Sequence, residues 1–163
     1  MVQGYKIKYL LIFILLIFSQ IMMAEECIFD KTDRVNENIK LLKRYPGSYM
    51  TNENLVVQVP VADGEVSINI GGCVHFGIMI ELKIKDGKHT SEDEFMNKIL
   101  WLAQAYSQGM IDQKRLEKVI KERIWTKPTE TEKFYFFNYD GSPFEVYERR
   151  DDQHTVVGFM TYD

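Results

Sequence analysis

Little in this chain of 163 residues points to a reaction. The three histidines, His75, His89 and His154, stand far apart, and none has the paired spacing of a zinc helix or finger. No G-x-S-x-G elbow, S-x-x-K, phosphate-cradling glycine loop or dinucleotide fingerprint occurs. The usual marks of hydrolases, nucleotide-dependent enzymes and nicotinamide enzymes are therefore missing, and neither a metal nor a cofactor is expected. Basic runs are missing too. Lys and Arg number 20 against 24 Asp and Glu, for a net charge of −4, and never cluster beyond pairs. Such a chain is a poor ligand for nucleic acid or an anionic membrane, and a basic partner suits it better. The Asn-x-Ser/Thr sequon is also absent, which fits a bacterial periplasm better than a glycosylating secretory route. There is no internal repeat, linker or low-complexity stretch.

What is present begins with an address. Lys6 and Lys8 precede an apolar run from Tyr9 to Phe18, followed by Ser19-Gln20, Met22-Met23-Ala24 and the acidic pair Glu25-Glu26. A basic start, a short hydrophobic core and a small residue at the cut describe a secretory signal peptide over residues 1–24. The run is too short and too interrupted for a membrane span. The expected mature product is one domain over residues 25–163, periplasmic or secreted, with no membrane insertion after cleavage. The leader carries Lys6 and Lys8 and no acid, so cleavage moves the net charge from −4 to −6. Glu25-Glu26 directly before Cys27 argues against a lipid anchor there.

Cys27 and Cys73 are the two cysteines, and an oxidising compartment predicts a disulfide between them. In the chain-entropy picture, closing a loop of that length stabilises by about 4 kcal/mol.

Helical spacing of Val35, Ile39, Leu42 and Tyr45, ended by Pro46-Gly47, predicts a short N-terminal helix. Strands follow at 55–59 and 66–70, joined at Ala62-Asp63-Gly64, and at 74–84, where Phe76, Ile78, Ile80, Leu82 and Ile84 share one face. Ser91 with Glu94 predicts a helix start, and Asp112 opens another helix striped by Leu116, Val119, Ile120 and Ile124. Three strands close the pattern at 134–139, 144–149 and 155–162. The predicted class is α+β: a mainly antiparallel sheet of about six strands, with an αα-hairpin and the N-terminal helix packed on one face.

Two chemistries compete for the remaining features. In Gly71-Gly72-Cys73-Val74-His75-Phe76-Gly77 a thiol and an imidazole lie two apart on one strand, about 6.5 to 7 Å from each other, too far for direct activation. A small hydrolase would instead use His75 with Glu81 or His154 as its partner. The other feature is the aromatic wealth of the last third. Alternation puts Tyr135, Phe137 and Tyr139 on one face and Phe134 and Phe136 on the other, and a sheet covered on one side must expose one set. Exposed Tyr and Phe mark interaction surfaces. Tyr135, Phe137, Tyr139 and Tyr147 are the expected partner-binding residues. The resulting expectation is an exported binding protein, an inhibitor or immunity-type factor against a basic, cell-wall-active or toxic enzyme. The hydrolase and a structural subunit of an envelope assembly are the alternatives.

Overall fold

The computed structural model describes residues 31–51, 55–71, 77–86, 88, 90–107, 109, 111–122, 124, 126, 133–139, 142–150 and 153–162. Of residues 133, 137–139, 142 and 162 it describes the backbone alone. The leader region, Cys27, Cys73, His75 and His89 lie outside the described residues.

Helix α1 (Lys31–Arg44) leads into strands β1 (Tyr49–Thr51), β2 (Val56–Val61), β3 (Gly64–Gly71) and β4 (Gly77–Ile84). Helices α2 (Glu92–Tyr106) and α3 (Gln113–Lys121) follow, and the chain returns through β5 (Lys133–Tyr139), β6 (Ser142–Arg150) and β7 (Thr155–Tyr162). All seven strands form one antiparallel sheet in the order β1-β2-β3-β4-β7-β6-β5. The fold is α+β, with one strand more than the sequence pattern suggests. The addition is β1, three residues on the outer edge of β2, too short to show alternation. Two meanders meet at the β4–β7 pairing, and α2 and α3 make the crossover between them.

One face of the sheet is the core. Val57, Val59, Val66, Ile68, Ile70, Ile78, Ile80, Leu82, Phe144, Val146, Val157 and Phe159 are buried there. Helix α1 covers the β1–β3 half, α2 lies on β4 and β7, and α3 packs on α2. The apolar stripe of α2, Phe95, Met96, Ile99, Leu102, Ala103 and Tyr106, faces the sheet. Tyr45 ties α1 to α2: its hydroxyl donates to the Ala105 carbonyl at 2.9 Å and its ring lies 5.1 Å from that of Tyr106. Among the described residues no helix is long and apolar enough to cross a membrane.

The helix starts are capped as the sequence indicates. Ser91 Oγ accepts from the Glu94 amide, and Asp112 accepts from the amides of Lys114 and Arg115, so each satisfies backbone donors that have no partner within the helix. Three local readings are corrected. In α1 the buried positions are Asn38 and Leu41, while Ile39 is exposed. The stripe of α3 stops early: the helix ends at Lys121, and Ile124 beyond it is exposed. The β2–β3 turn centres on Ala62-Asp63, because Val61 already pairs with Gly64. Gly64 is required by the neighbouring strand instead, since a Cβ there would lie 2.0 Å from the Lys83 carbonyl oxygen.

Candidate interaction face

Among the described residues no helix packs along the sheet's second face, which α1 reaches only through Arg34, donating to Asn69 Oδ1 at 3.2 Å, and strand alternation decides what it displays. Each strand alternates its side chains between the two faces; the core side takes most of the apolar positions, with Glu148 and Thr155 among its few polar ones, and the outward side is mixed. Cross-strand register then lines the outward residues up in rows. One row runs Phe134, Tyr147, Gly158, Glu81, Ser67, Gln58 and Tyr49. The next runs Phe136, Glu145, Met160, Met79, Asn69 and Val56.

The first row is organised around a carboxylate. Tyr147 Oη donates to Glu81 Oε1 at 2.8 Å, and Arg149 donates to the same oxygen at 2.6 Å. Gly158 lies between the strands of Tyr147 and Glu81, and a Cβ on it would come within 3.0 Å of both side chains. Two smaller links continue the row: Ser67 Oγ donates to Gln58 Oε1 at 2.7 Å, and Tyr49 Oη donates to Glu65 Oε2 at 2.5 Å. The Tyr49 pKa is raised, chiefly by that hydrogen bond to Glu65.

The second row carries more apolar surface. Phe136 is 38% exposed at the outer strand, and Met79 and Met160 are half-buried. The Phe136 backbone is fixed on its outer side by Thr126, with hydrogen bonds of 2.9 Å and 2.8 Å in the two directions. Glu145, flanked by Phe136 and Met160 in the register, has no hydrogen-bond or ion-pair partner among the described residues.

The predicted partner residues divide between the two faces. Tyr135 is 1% exposed and belongs to the core: its ring stacks on Phe95 with centroids 5.5 Å apart, and its hydroxyl donates to Glu92 Oε2 at 3.1 Å. Burial, then the hydrogen bond to Glu92, then the charges of Glu92 and Glu148 push its pKa up to about 12. Tyr135 is thus removed from any surface for contact. Tyr147 pairs with Phe134 on the open face. The backbones of Phe137 and Tyr139 pair with Phe144 and Ser142, and their side chains lie outside the described residues. Tyr135 is buried for a tertiary reason, the seating of Phe95 over β5, that strand periodicity alone does not contain. Met79, Glu145 and Met160 were missed because they meet only through the pairing of β4, β7 and β6, and β4 and β7 are far apart in sequence.

The hydrolase residues fare differently. His75 lies outside the described residues, and with it the pairing of His75 with Glu81 or His154. Glu81 stands opposite Gly158 and accepts from Tyr147 and Arg149. On the helix side, a cleft of about 580 Å³ lies between the β2–β3 turn, the segment after β4 and the start of α2. Asp63, Lys85, Asp86, Thr90, Glu94 and Lys98 line it. Its Lys98 is paired with Glu94, and its Thr90 hydroxyl donates to Glu148. Among the described residues no group of three or more His, Cys, Asp and Glu is disposed to hold a metal.

Comparison with protein-family models, with curated proteins and with solved structures finds no match to this chain.

Proposed function

We propose that this protein is an exported binding module that docks a protein partner on the open face of its sheet, acting as an inhibitor or immunity-type factor against a basic, cell-wall-active or toxic enzyme. The observation that carries the reading is the one-sided sheet. Among the described residues α1 and α2 cover one face, while the other presents Phe134, Phe136, Tyr147, Met79 and Met160 around fixed polar groups. Aromatic and methionine side chains on a rigid, largely pre-formed surface are the usual ingredients of a protein interface. The leader and the acidic mature charge support the rest: export places the protein beside enzymes of the envelope, and a net charge of −6 speeds encounter with a basic target by long-range steering.

The test is capture on immobilised protein, with variants placed on both faces. A basic enzyme bound at one-to-one stoichiometry and inhibited, released by Phe136→Ala or Tyr147→Ala and indifferent to Trp101→Ala on the helix side, is the expected result. No stoichiometric partner, or one released by Trp101→Ala and held by the open-face variants, sinks the reading. Its association rate should fall as salt rises from about 0.01 M to 0.15 M, as the screening length shrinks from about 30 to 8 Å.

A further inference from the structure

We infer that Glu145, with Phe136 and Met160 on either side of it, is the receiving site for an arginine side chain of the partner; this rests on the docking reading above and specifies its chemistry. Three described carboxylates occupy the open face: Glu65, Glu81 and Glu145. Two are already engaged, Glu65 by the Tyr49 hydroxyl and Glu81 by Tyr147 and Arg149. Glu145 is half-buried and has no partner among the described residues. A cationic donor would give this carboxylate the charge-assisted hydrogen bonds that none of the described residues supplies.

The neighbours select the cation. Direct cross-strand neighbours have Cβ atoms about 4.5 to 5.5 Å apart, so Phe136 and Met160 wall the carboxylate on both sides along the row. A flat aromatic wall beside a carboxylate suits a planar guanidinium, which can bond two oxygens at once and lie against a ring. The thioether of Met160 adapts to the aliphatic stem. An ammonium would gain the charge attraction but neither the fork nor the stacking. The wall is set in advance, because the Thr126 bridge holds the backbone of Phe136 in both directions.

The test needs no knowledge of the partner. The protein is labelled with ¹³C at its methionine methyls, Met79 and Met160 are assigned through Met79→Leu and Met160→Leu, and the peptide acetyl-Gly-Arg-Gly-amide is titrated in low salt. The expected result is a saturable shift of the Met160 methyl, weakened about tenfold for the lysine peptide or in Glu145→Gln and absent with the citrulline peptide, which keeps the shape without the charge. Equal shifts from the citrulline peptide, or shifts unchanged in Glu145→Gln, overturn the site. Glu145→Gln is nearly isosteric, and an unperturbed methyl spectrum elsewhere confirms that it folds. The two proposals fail separately. A captured partner that is lost with Phe136→Ala but binds Glu145→Gln undiminished overturns the arginine site and leaves open-face docking standing. Arginine-specific shifts without any captured enzyme support the site and overturn the inhibitor reading.

Discussion

Tyr147 and Glu81 meet across Gly158: the tyrosine hydroxyl donates to the carboxylate at 2.8 Å over a residue that has no side chain to hold them apart. The three sit on adjacent strands β6, β7 and β4, so the contact pins together the two meanders at the centre of the sheet. It also keeps the middle of the open face flat. A glycine in a strand interior normally weakens it, and here the close approach of two side chains explains its presence.

Replacing that glycine should therefore cost less than its geometry first suggests, and the cost should depend on Tyr147. Gly158→Ala introduces a Cβ at 3.0 Å from flexible side chains, whereas Gly64→Ala drives one to 2.0 Å from a backbone carbonyl. Urea denaturation should show Gly64→Ala destabilised by about 3 kcal/mol or more and Gly158→Ala by about 1 kcal/mol. In a Tyr147→Ala background the cost of Gly158→Ala should fall, because the contact at 3.0 Å with Glu81 Cγ alone remains to oppose the entropic benefit of losing glycine. An unchanged cost in that background would show that Glu81 or the backbone, and not Tyr147, sets the requirement.

Adjacent residues of β5 should behave oppositely. Tyr135→Ala removes a buried ring stacked on Phe95 and should destabilise by about 3 to 5 kcal/mol. Phe136→Ala removes an exposed ring from the other face and should change stability by under about 1 kcal/mol, while abolishing partner capture. Comparable losses of stability at both positions would mean that the open face is covered after all.

Alkaline titration should find Tyr135 ionising late. Its folded pKa is pushed up to about 12, first by burial and then by the hydrogen bond to Glu92, while the unfolded value is near 10. The folded state therefore holds the proton more tightly than the unfolded one. The stability this contributes is complete below pH 10 and is lost as the pH rises from about 10 to 12. Burial raises Tyr45 and Tyr106 in the same direction. Ultraviolet difference spectra should show tyrosine ionisation lagging in the native protein, and Tyr135→Phe should remove part of the lag. A native titration matching the unfolded curve would refute the burial.

How much of this was written in the sequence follows from the range of each interaction. The N-caps Ser91 and Asp112 act within three residues, and both were legible. Strands β2 to β4 and β5 to β7 show the alternation of a half-buried sheet, so the α+β class was legible as well. Short-range rules misplaced the α1 stripe at Ile39 and continued α3 to Ile124, because burial there depends on which sheet region each helix meets. The site was the least legible part. Tyr135 and Tyr147 both read as surface aromatics, and only the β5–β6 register, with Tyr135 opposite Val146 and Phe134 opposite Tyr147, puts them on opposite faces.

The cap of α3 offers the cleanest local measurement. Asp112 accepts from two amides, of Lys114 at 3.0 Å and of Arg115 at 3.3 Å, at the start of a helix only nine residues long. So short a helix has little stability of its own and depends on its cap and on Leu116 and Val119 packed beneath it. Asp112→Ala should destabilise the protein by about 1 kcal/mol, Asp112→Asn by less, and amide hydrogen exchange should quicken in α3 ahead of α2. The sheet's open face should keep its partner and its arginine response in both variants, since α3 packs on α2 and not on the strands that carry Phe136 and Glu145. If Asp112→Ala weakened binding while the fold held, the helix layer would have to take part in recognition, and docking through the open face alone would be wrong.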